Sequence, residues 1–371
     1  MLVVVFLCVF VLLIYTVWLI TILKGWLKLK EKDFTNDDIE IPISVVIPFR
    51  NESRKIDFLL NSLLKEIDDN SNTEVIYIDD HSIDDSSEIV KLKIAGRKNF
   101  YLIKAQNEGK KNALRTGIQI AKHEWIVSLD ADVQIPSGWH SRIKKHCAAS
   151  KSSLMILPLF IDDEGTFFGA SQSLEFMSIT GITAGSAANN NALLCNGAHL
   201  AFRKESYQQS IARRKDSAIS SGDDMFLLSD LKKNGFVTWI HDPKIVAVIK
   251  GEKDLKSFIN QRVRWASKTG SLPDSQVKLA GLIVTLANLA LIVLWTLMLL
   301  EPRFFIYGFT FTFIKISNDY HLTKKVATWM CKTRLMRFFI PVSLIYPFYA
   351  ILIPLIGLFY KPKWKGRKVI N

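Results

Sequence analysis

Two aspartates one residue apart, Asp130 and Asp132, close an apolar run in the stretch IVSLDADVQIP (126–136). Residues i and i+2 of an extended chain project to the same side, so this spacing aims two carboxylates at one point. Like charges so placed repel unless a cation or a proton donor lies between them. The plainer reading is a solvated turn at a strand end, because a motif this short also occurs by chance. The other polar clusters of the chain decide between the two.

Those clusters follow a regular alternation. ISVVIP (43–48), EVIYIDD (74–80), FYLIKA (100–105) and WIVSLD (125–130) read as strands rich in Val and Ile. Helical stretches near 53–67, 84–95 and 109–122 separate them. This order predicts an α/β fold, a mostly parallel sheet with helices on both faces. In such sheets ligands sit beyond the carboxyl ends of the strands. Arg50, Asn51 and Glu52 follow the first strand, Asp79 and Asp80 end the second, and Asn107-Glu108-Gly109-Lys110-Lys111 follow the third. Asp130 and Asp132 follow the fourth. One such cluster is ordinary helix capping. Four at one edge form a basin of carboxylates and lysine that suits a nucleoside diphosphate and its divalent cation.

Composition sets the surroundings. The chain has 371 residues, a net charge of +13 and a mean hydropathy of +0.17, high for a soluble enzyme. Residues 2–23 carry no charge, and about 20 apolar residues suffice to cross a bilayer core. No basic region precedes this segment, which argues against a cleaved signal peptide. Lys24, Lys28, Lys30 and Lys32 follow directly and place the next segment in the cytoplasm by the positive-inside bias. Further apolar segments run over 279–300 and 338–360, the latter bearing Pro341, Pro347 and Pro354, with 304–314 a weaker candidate. Basic residues crowd beside these segments, from Lys324 to Arg337 and from Lys361 to Lys368. Such clusters suit anionic lipid headgroups, not nucleic acid. Cys8, Cys147, Cys195 and Cys331 have neither disulfide nor zinc spacing. His81, His199 and His241 lack partners at metal spacing and read as structural or solvent-facing.

The segments VVIPFRNE (45–52), IDDHSIDD (78–85), NEGKKNAL (107–114), SLDADV (128–133), GDDMFL (222–227) and QRVRW (261–265) occur in an order that resembles the membrane-bound family 2 glycosyltransferases. The apolar flanks also resemble polysaccharide synthases and ceramide-type glucosyltransferases. The resemblance implies a GT-A-type sheet with amino- and carboxyl-terminal transmembrane helices, covering roughly residues 41–270. It assigns the nucleoside to the segment from Pro48 through Arg50 to Glu52 and to Asp80, with Lys110 and Asp130 beside the phosphates. Asp132, with Asp130, would hold Mg²⁺ or Mn²⁺, hard cations that take carboxylate and phosphate oxygens. Asp224 would be the general base that takes the acceptor's proton in an inverting displacement. Family members have Glu-Asp where this chain has Asp223-Asp224, which leaves Asp223 a less defined role beside the acceptor. Acids at a helix N-terminus are also favourable in their own right. Gln261, Arg262, Arg264 and Trp265 would serve the diphosphate and the acceptor, with Trp265 a stacking platform. An interfacial amphipathic helix explains the same residue types. Asn196-Gly197-Ala198 resembles the family's acceptor-side loop.

The expected protein is a multi-pass enzyme of the inner (cytoplasmic) membrane with its catalytic domain in the cytoplasm. Its parts would be an amino-terminal transmembrane helix (1–24), a catalytic domain (33–270), a transmembrane or interfacial region (277–360) and a basic tail (361–371). The donor would be a nucleotide sugar, UDP-linked because the Asp80 carboxylate suits a uracil N–H, and the acceptor a lipid or lipid-linked glycan. A processive polysaccharide synthase is the alternative product class; the few spans after the catalytic domain leave little material for a polymer channel. A sugar nucleotidyltransferase would carry a Gly-rich loop after the first strand, where this chain has PFRNES. A non-catalytic scaffold would have lost some of the acids, and all are present. The side of the carboxyl terminus depends on the span count: two spans after the domain return it to the cytoplasm, and three do not.

Overall fold

The β-branched runs form strands because their side chains are covered on both faces. Every residue of Ile43–Phe49, Glu74–Asp79 and Trp125–Leu129 is buried, as expected of central parallel strands between helical layers. The computed structural model describes residues 2–35, 40–162, 165–214, 222–360, 362–365 and 367–368. Lys361 and residues 369–371 of the basic tail lie outside these.

The chain opens with α1 (Leu2–Lys28). It then alternates β1 (Ile43–Phe49), α2 (Ile56–Glu66), β2 (Glu74–Asp79), α3 (Ser86–Lys93), β3 (Phe100–Lys104), α4 (Lys110–Ile120), β4 (Trp125–Leu129) and α5 (Trp139–Ala149). Short strands β5 (Leu154–Ile156) and β6 (Leu159–Asp162) lead to the 22-residue α6 (Phe167–Ala188). Then come β7 (His199–Arg203), α7 (Lys204–Arg213), α8 (Asp223–Asn234), β8 (Val237–Trp239) and β9 (Ala247–Lys250). Helices α9 (Leu255–Ser271), α10 (Ser275–Leu300), α11 (Phe305–Trp329) and α12 (Phe339–Phe359) precede the two-residue strands β10 (Lys363–Trp364) and β11 (Arg367–Lys368).

Two units result. The first to consider comprises Lys30–Phe160, Leu194–Lys250 and Trp364–Asn371. Its seven-stranded sheet has the order β3-β2-β1-β4-β7-β5-β8. β1 pairs in parallel with β2 and β4, and β2 with β3. β7 runs antiparallel to β4 and β5, while β5 and β8 are parallel. This is the expected mostly parallel α/β sheet. The parallel strands send their carboxyl ends to one edge, and β7, being antiparallel, starts there: His199 faces Leu129. The residues before β7 are thereby delivered beside those after β4.

The second unit comprises Met1–Leu29, Ile161–Leu193 and Gly251–Lys363. Two stretches inside the expected 33–270 domain, Ile161–Leu193 and the residues from Gly251, thus pack with the apolar helices. α1 and α6 meet at glycines: a Cβ at Gly25 would lie 2.0 Å from the Gly185 carbonyl oxygen, and one at Gly185 would lie 2.2 Å from that of Ile22. Small residues let helix backbones approach this closely. Lys315 is buried as one half of an ion pair. Lys315 Nζ lies 2.7 Å from Asp319 Oδ2, and the Tyr15 hydroxyl donates to Asp319 Oδ1 at 2.5 Å.

Among the described residues, three helices are long and apolar enough to cross a membrane: Leu2–Lys28, Ser275–Leu300 and Thr333–Phe359. The last includes the 3₁₀ turn before α12, which contains Pro347 and Pro354. Residues 304–314 fall at the start of α11, which also carries Lys315, Asp319, Lys324 and Lys325 and is not among the three. Lys365 and Arg367 pack in the sheet unit.

Candidate active site

The strand ends gather the acids of the sheet unit. β4 stops at Leu129, and the Val133 N–H donates to the Asp130 carbonyl at 3.2 Å, closing a turn. The extended-chain geometry expected of Asp130 and Asp132 therefore does not hold, because the turn intervenes. Each carboxylate instead faces its own ammonium group. Lys110 donates to Asp130 Oδ1, and Lys55 Nζ lies 3.0 Å from Asp132 Oδ2. Both acids keep 28% of their side-chain surface exposed, so both are open to a ligand.

Asp80 sits deeper. Its N–H donates to the Phe49 carbonyl at 2.8 Å, which fixes it beside the end of β1. Its Oδ1 accepts from Gly109 N at 2.7 Å. Gly109 has φ +107, a conformation that side chains disfavour, and it starts α4 so that Lys110 is the first helical residue. One glycine thus ties Asp80 to Lys110. Arg50 Nη1 donates to the carbonyls of Asp80 and His81 at 2.8 and 2.6 Å. It braces the loop after β2. Pro48 is buried within β1 opposite Ile78. Burial holds the Glu52 carboxyl above its usual range, against the pull of Lys365.

The short connection before β7 carries the arrangement across to α8. The Asp130 N–H donates to the Ala198 carbonyl at 3.2 Å, and the Gly197 N–H donates to Asp224 Oδ2 at 2.9 Å. Asn196-Gly197-Ala198 therefore links the two acids assigned to donor and acceptor. Asp223 and Asp224 open α8, as their helix-terminal reading expects. Their environments differ. Asp223 accepts from the Tyr207 hydroxyl at 2.9 Å and from Arg214 Nη2 at 2.7 Å, and it is buried. Burial first, then the Asp223 charge, pushes the Tyr207 hydroxyl well up, so it stays a donor. Asp223 is thus committed to holding the helix start, and Asp224 is half-exposed. Sequence reasoning missed Lys55, Tyr207 and Arg214, which carry no motif.

QRVRW lies on α9, in the helical unit. Arg262, 3% exposed at its side chain, donates through Nη2 and Nε to Glu175 Oε2 at 2.7 and 3.0 Å. Tyr349 donates to the other Glu175 oxygen at 2.9 Å. The guanidinium lies 4.4 Å from both the Phe258 and Trp265 ring centres, so one Trp265 face already carries a cation. Gln261 Nε2 donates to Glu252 Oε1 at 2.7 Å, and Arg264 has partners within the protein. Arg262→Met should leave Glu175 buried with an uncompensated charge. The expected cost is about 3–5 kcal/mol, read as a fall in the melting temperature of the solubilised protein. Adding Glu175→Gln should restore most of it; no restoration would show that Arg262 packs without pairing.

Among the described residues no three His, Cys, Asp or Glu side chains converge as a protein-only metal cage. Mg²⁺ and Mn²⁺ held with substrate phosphates need only one or two carboxylates, so the exposed oxygen donors of Asp130 and Asp132 fit such an ion. His199 is structural: Trp139 Nε1 donates to its Nε2 at 3.0 Å, and burial pushes its pKa down to about 4.

Comparison with known proteins places this geometry. The family model described as glycosyl transferase family 2 matches residues 44–210. The undecaprenyl-phosphate 4-deoxy-4-formamido-L-arabinose transferase of Aeromonas hydrophila is 38% identical over 104 residues, 27% of this chain and 32% of that protein. The poly-β-1,6-N-acetyl-D-glucosamine synthase of Staphylococcus aureus is 34% identical over 104 residues, 28% of this chain and 24% of that one. The match spans a third or less of these relatives' length. Among solved structures, the mannosyltransferase PcManGT from Pyrobaculum calidifontis, in complex with GDP-Man and Mn²⁺, covers 91% of this chain and 95% of its own. It has a TM-score of 0.53 at 15% identity, a likeness of fold.

Proposed function

From the match of residues 44–210 to the model described as glycosyl transferase family 2, we propose that the chain is a glycosyltransferase that moves a sugar from a nucleoside-diphosphate donor, UDP-linked, to a lipid or lipid-linked acceptor at a membrane, with inversion at the anomeric carbon. The observation that carries this reading is the Asn196–Ala198 connection. It joins Asp130, at the carboxyl end of β4, to Asp224, at the start of α8: the Asp130 N–H donates to the Ala198 carbonyl and the Gly197 N–H to the Asp224 carboxylate. A donor-side acid and a candidate base are thereby joined by a three-residue link.

The roles follow from the surroundings. Asp224 is half-buried at the start of α8 and held by Gly197, where it would take the acceptor hydroxyl's proton as the hydroxyl oxygen attacks. Asp223, spent on Tyr207 and Arg214, orients α8 and so aims Asp224. Asp80 receives the base N–H, while Lys110 offers positive charge beside Asp130. Pro48, Arg50 and Glu52 shape the loop that borders the nucleoside. Arg264 and Trp265 of QRVRW serve the diphosphate and the acceptor. Asp132 and Asp130 would hold Mg²⁺ or Mn²⁺, and the PcManGT complex contains Mn²⁺ with its GDP-Man. Such an ion stabilises the charge that develops on the departing nucleoside diphosphate.

The lipid acceptor is supported by the Aeromonas relative, whose name specifies undecaprenyl phosphate, and by the small number of apolar helices after the sheet unit. Membranes bearing the protein should be incubated with a panel of radiolabelled nucleotide sugars, and the products separated into lipid-soluble and polymeric fractions. Label in the lipid-soluble fraction, with a UDP-sugar as donor, supports the reading. Label only in polymer would replace the acceptor, and no transfer from any nucleotide sugar would overturn the activity.

A further inference from the structure

By charge alone the basic carboxyl terminus belongs on a lipid surface. In the structure two of its residues turn onto the sheet edge instead. Lys365 Nζ lies 2.7 Å from Glu52 Oε1 and donates to the Asn51 carbonyl at 3.2 Å. Arg367 Nη1 donates to both oxygens of Asp80, at 3.0 and 2.9 Å, and Nη2 lies 3.0 Å from Glu108 Oε2. The Asp80 side chain is 1% exposed and that of Arg367 half-buried, so this pair is partly buried, unlike a loose surface contact.

We propose that Lys365 and Arg367 are part of the nucleotide site: they supply the positive charge that admits an anionic diphosphate to a carboxylate-lined pocket, and Arg367 stays on Asp80 while the nucleotide is bound. The proposal rests on the glycosyltransferase reading. Three observations carry it. The first is charge. Glu52, Asp80, Glu108, Asp130 and Asp132 are matched at this edge by Lys55, Lys110, Lys365 and Arg367. Without the tail, Lys55, Lys110 and Arg50 are left against five carboxylates, and the net negative charge would repel a diphosphate. The second is acceptor capacity. A carboxylate offers about four lone-pair directions. Gly109 N and Arg367 Nη1 use three on Asp80, which leaves one on Oδ2 for a base N–H. The tail and the base can therefore share Asp80. The third is an unspent donor. Arg367 Nη2 is buried and, despite its ion pair with Glu108, makes no hydrogen bond among the described residues. A phosphate oxygen is the partner a guanidinium N–H takes best.

The opposite arrangement, a tail that plugs the pocket and must leave, predicts the opposite sign. The test uses the full chain in detergent, titrated with UDP and, in parallel, GDP in the presence of Mn²⁺. Arg367→Gln should weaken nucleotide binding by about tenfold or more, and adding Lys365→Gln should weaken it further. Arg367→Lys should recover part of the loss. With a working donor, KM should rise more than kcat falls, and added salt should narrow the gap between wild type and variant. These signatures would not accompany a merely structural role. Lys365→Gln, whose partner Glu52 is more exposed than Asp80, keeps the test informative if Arg367→Gln does not fold. Unchanged affinity in both variants overturns the proposal, and tighter binding replaces it with the plug. Wild-type protein that binds neither nucleotide defeats the glycosyltransferase reading itself, a result distinct from wild-type binding that the variants leave unaltered.

Discussion

Asp224→Asn is expected to lower sugar transfer by about 10²–10⁴-fold, the usual worth of a positioned general base. The substitution isolates proton acceptance because little else changes. An asparagine carbonyl oxygen can still accept from Gly197 N, as Asp224 Oδ2 does at 2.9 Å, so the link to Asp130 is kept. Gly197 leaves little room: a Cβ there would lie 3.2 Å from Asp224 Cβ and Oδ2, so the pair is already in close contact. Nucleoside diphosphate binding, with or without Mn²⁺, should stay close to wild type. Initial transfer rates and nucleotide affinity measured side by side check both halves. Near-native transfer would remove Asp224 as the base. Asp223 would then be a poor replacement, since Tyr207 and Arg214 already occupy its carboxylate. Asp223→Asn should act differently, loosening the start of α8 and lowering stability along with rate.

How much of this was legible beforehand varies along the chain for physical reasons. β1, β2, β3 and β4 announce themselves because each is a β-branched or aromatic run of five to seven residues, long enough to stand out between helices. β5 and β8 have three residues each, too few for any period to show. The direction of β7 depends on which neighbour it finds, and that is decided by packing. α6 combines small residues with Phe176, Met177 and a lone Glu175, a composition that suits a soluble helix as well as one packed against α1. Its glycine contact with α1 sets the difference, and no local pattern encodes it. The acids of the site were visible because strand ends collect them. Their counter-ions were not: Arg367 lies 287 residues from Asp80, and a run of basic residues beside an apolar segment has a sufficient explanation in lipid. Asp130 and Asp132 show the same limit at short range. Their spacing was read on an extended chain, and a single turn hydrogen bond gave each its own lysine.

Asp132→Ala should remove the dependence of nucleotide affinity on the divalent cation. Asp132 keeps its carboxylate partly exposed with Lys55 on one oxygen, which leaves it open to an ion. Its loss deprives the ion of a protein ligand and removes the Asp132 counter-charge from Lys55. The two effects oppose each other. A lysine relieved of that counter-charge attracts phosphate more strongly, so affinity measured without metal should hold or improve slightly. The gain normally added by Mg²⁺ or Mn²⁺ should disappear. Transfer should fall by about 10²–10³-fold, since the ion's stabilisation of the departing diphosphate amounts to several kcal/mol. Lys55→Ala provides the contrast: it exposes Asp132 fully, so the metal-dependent gain should persist or grow. Nucleoside diphosphate titrations of both variants, each with and without the ion, separate a ligand from a bystander. If Asp132→Ala keeps the full metal-dependent gain, the cation is held elsewhere, and Asp132 serves only as the counter-charge of Lys55.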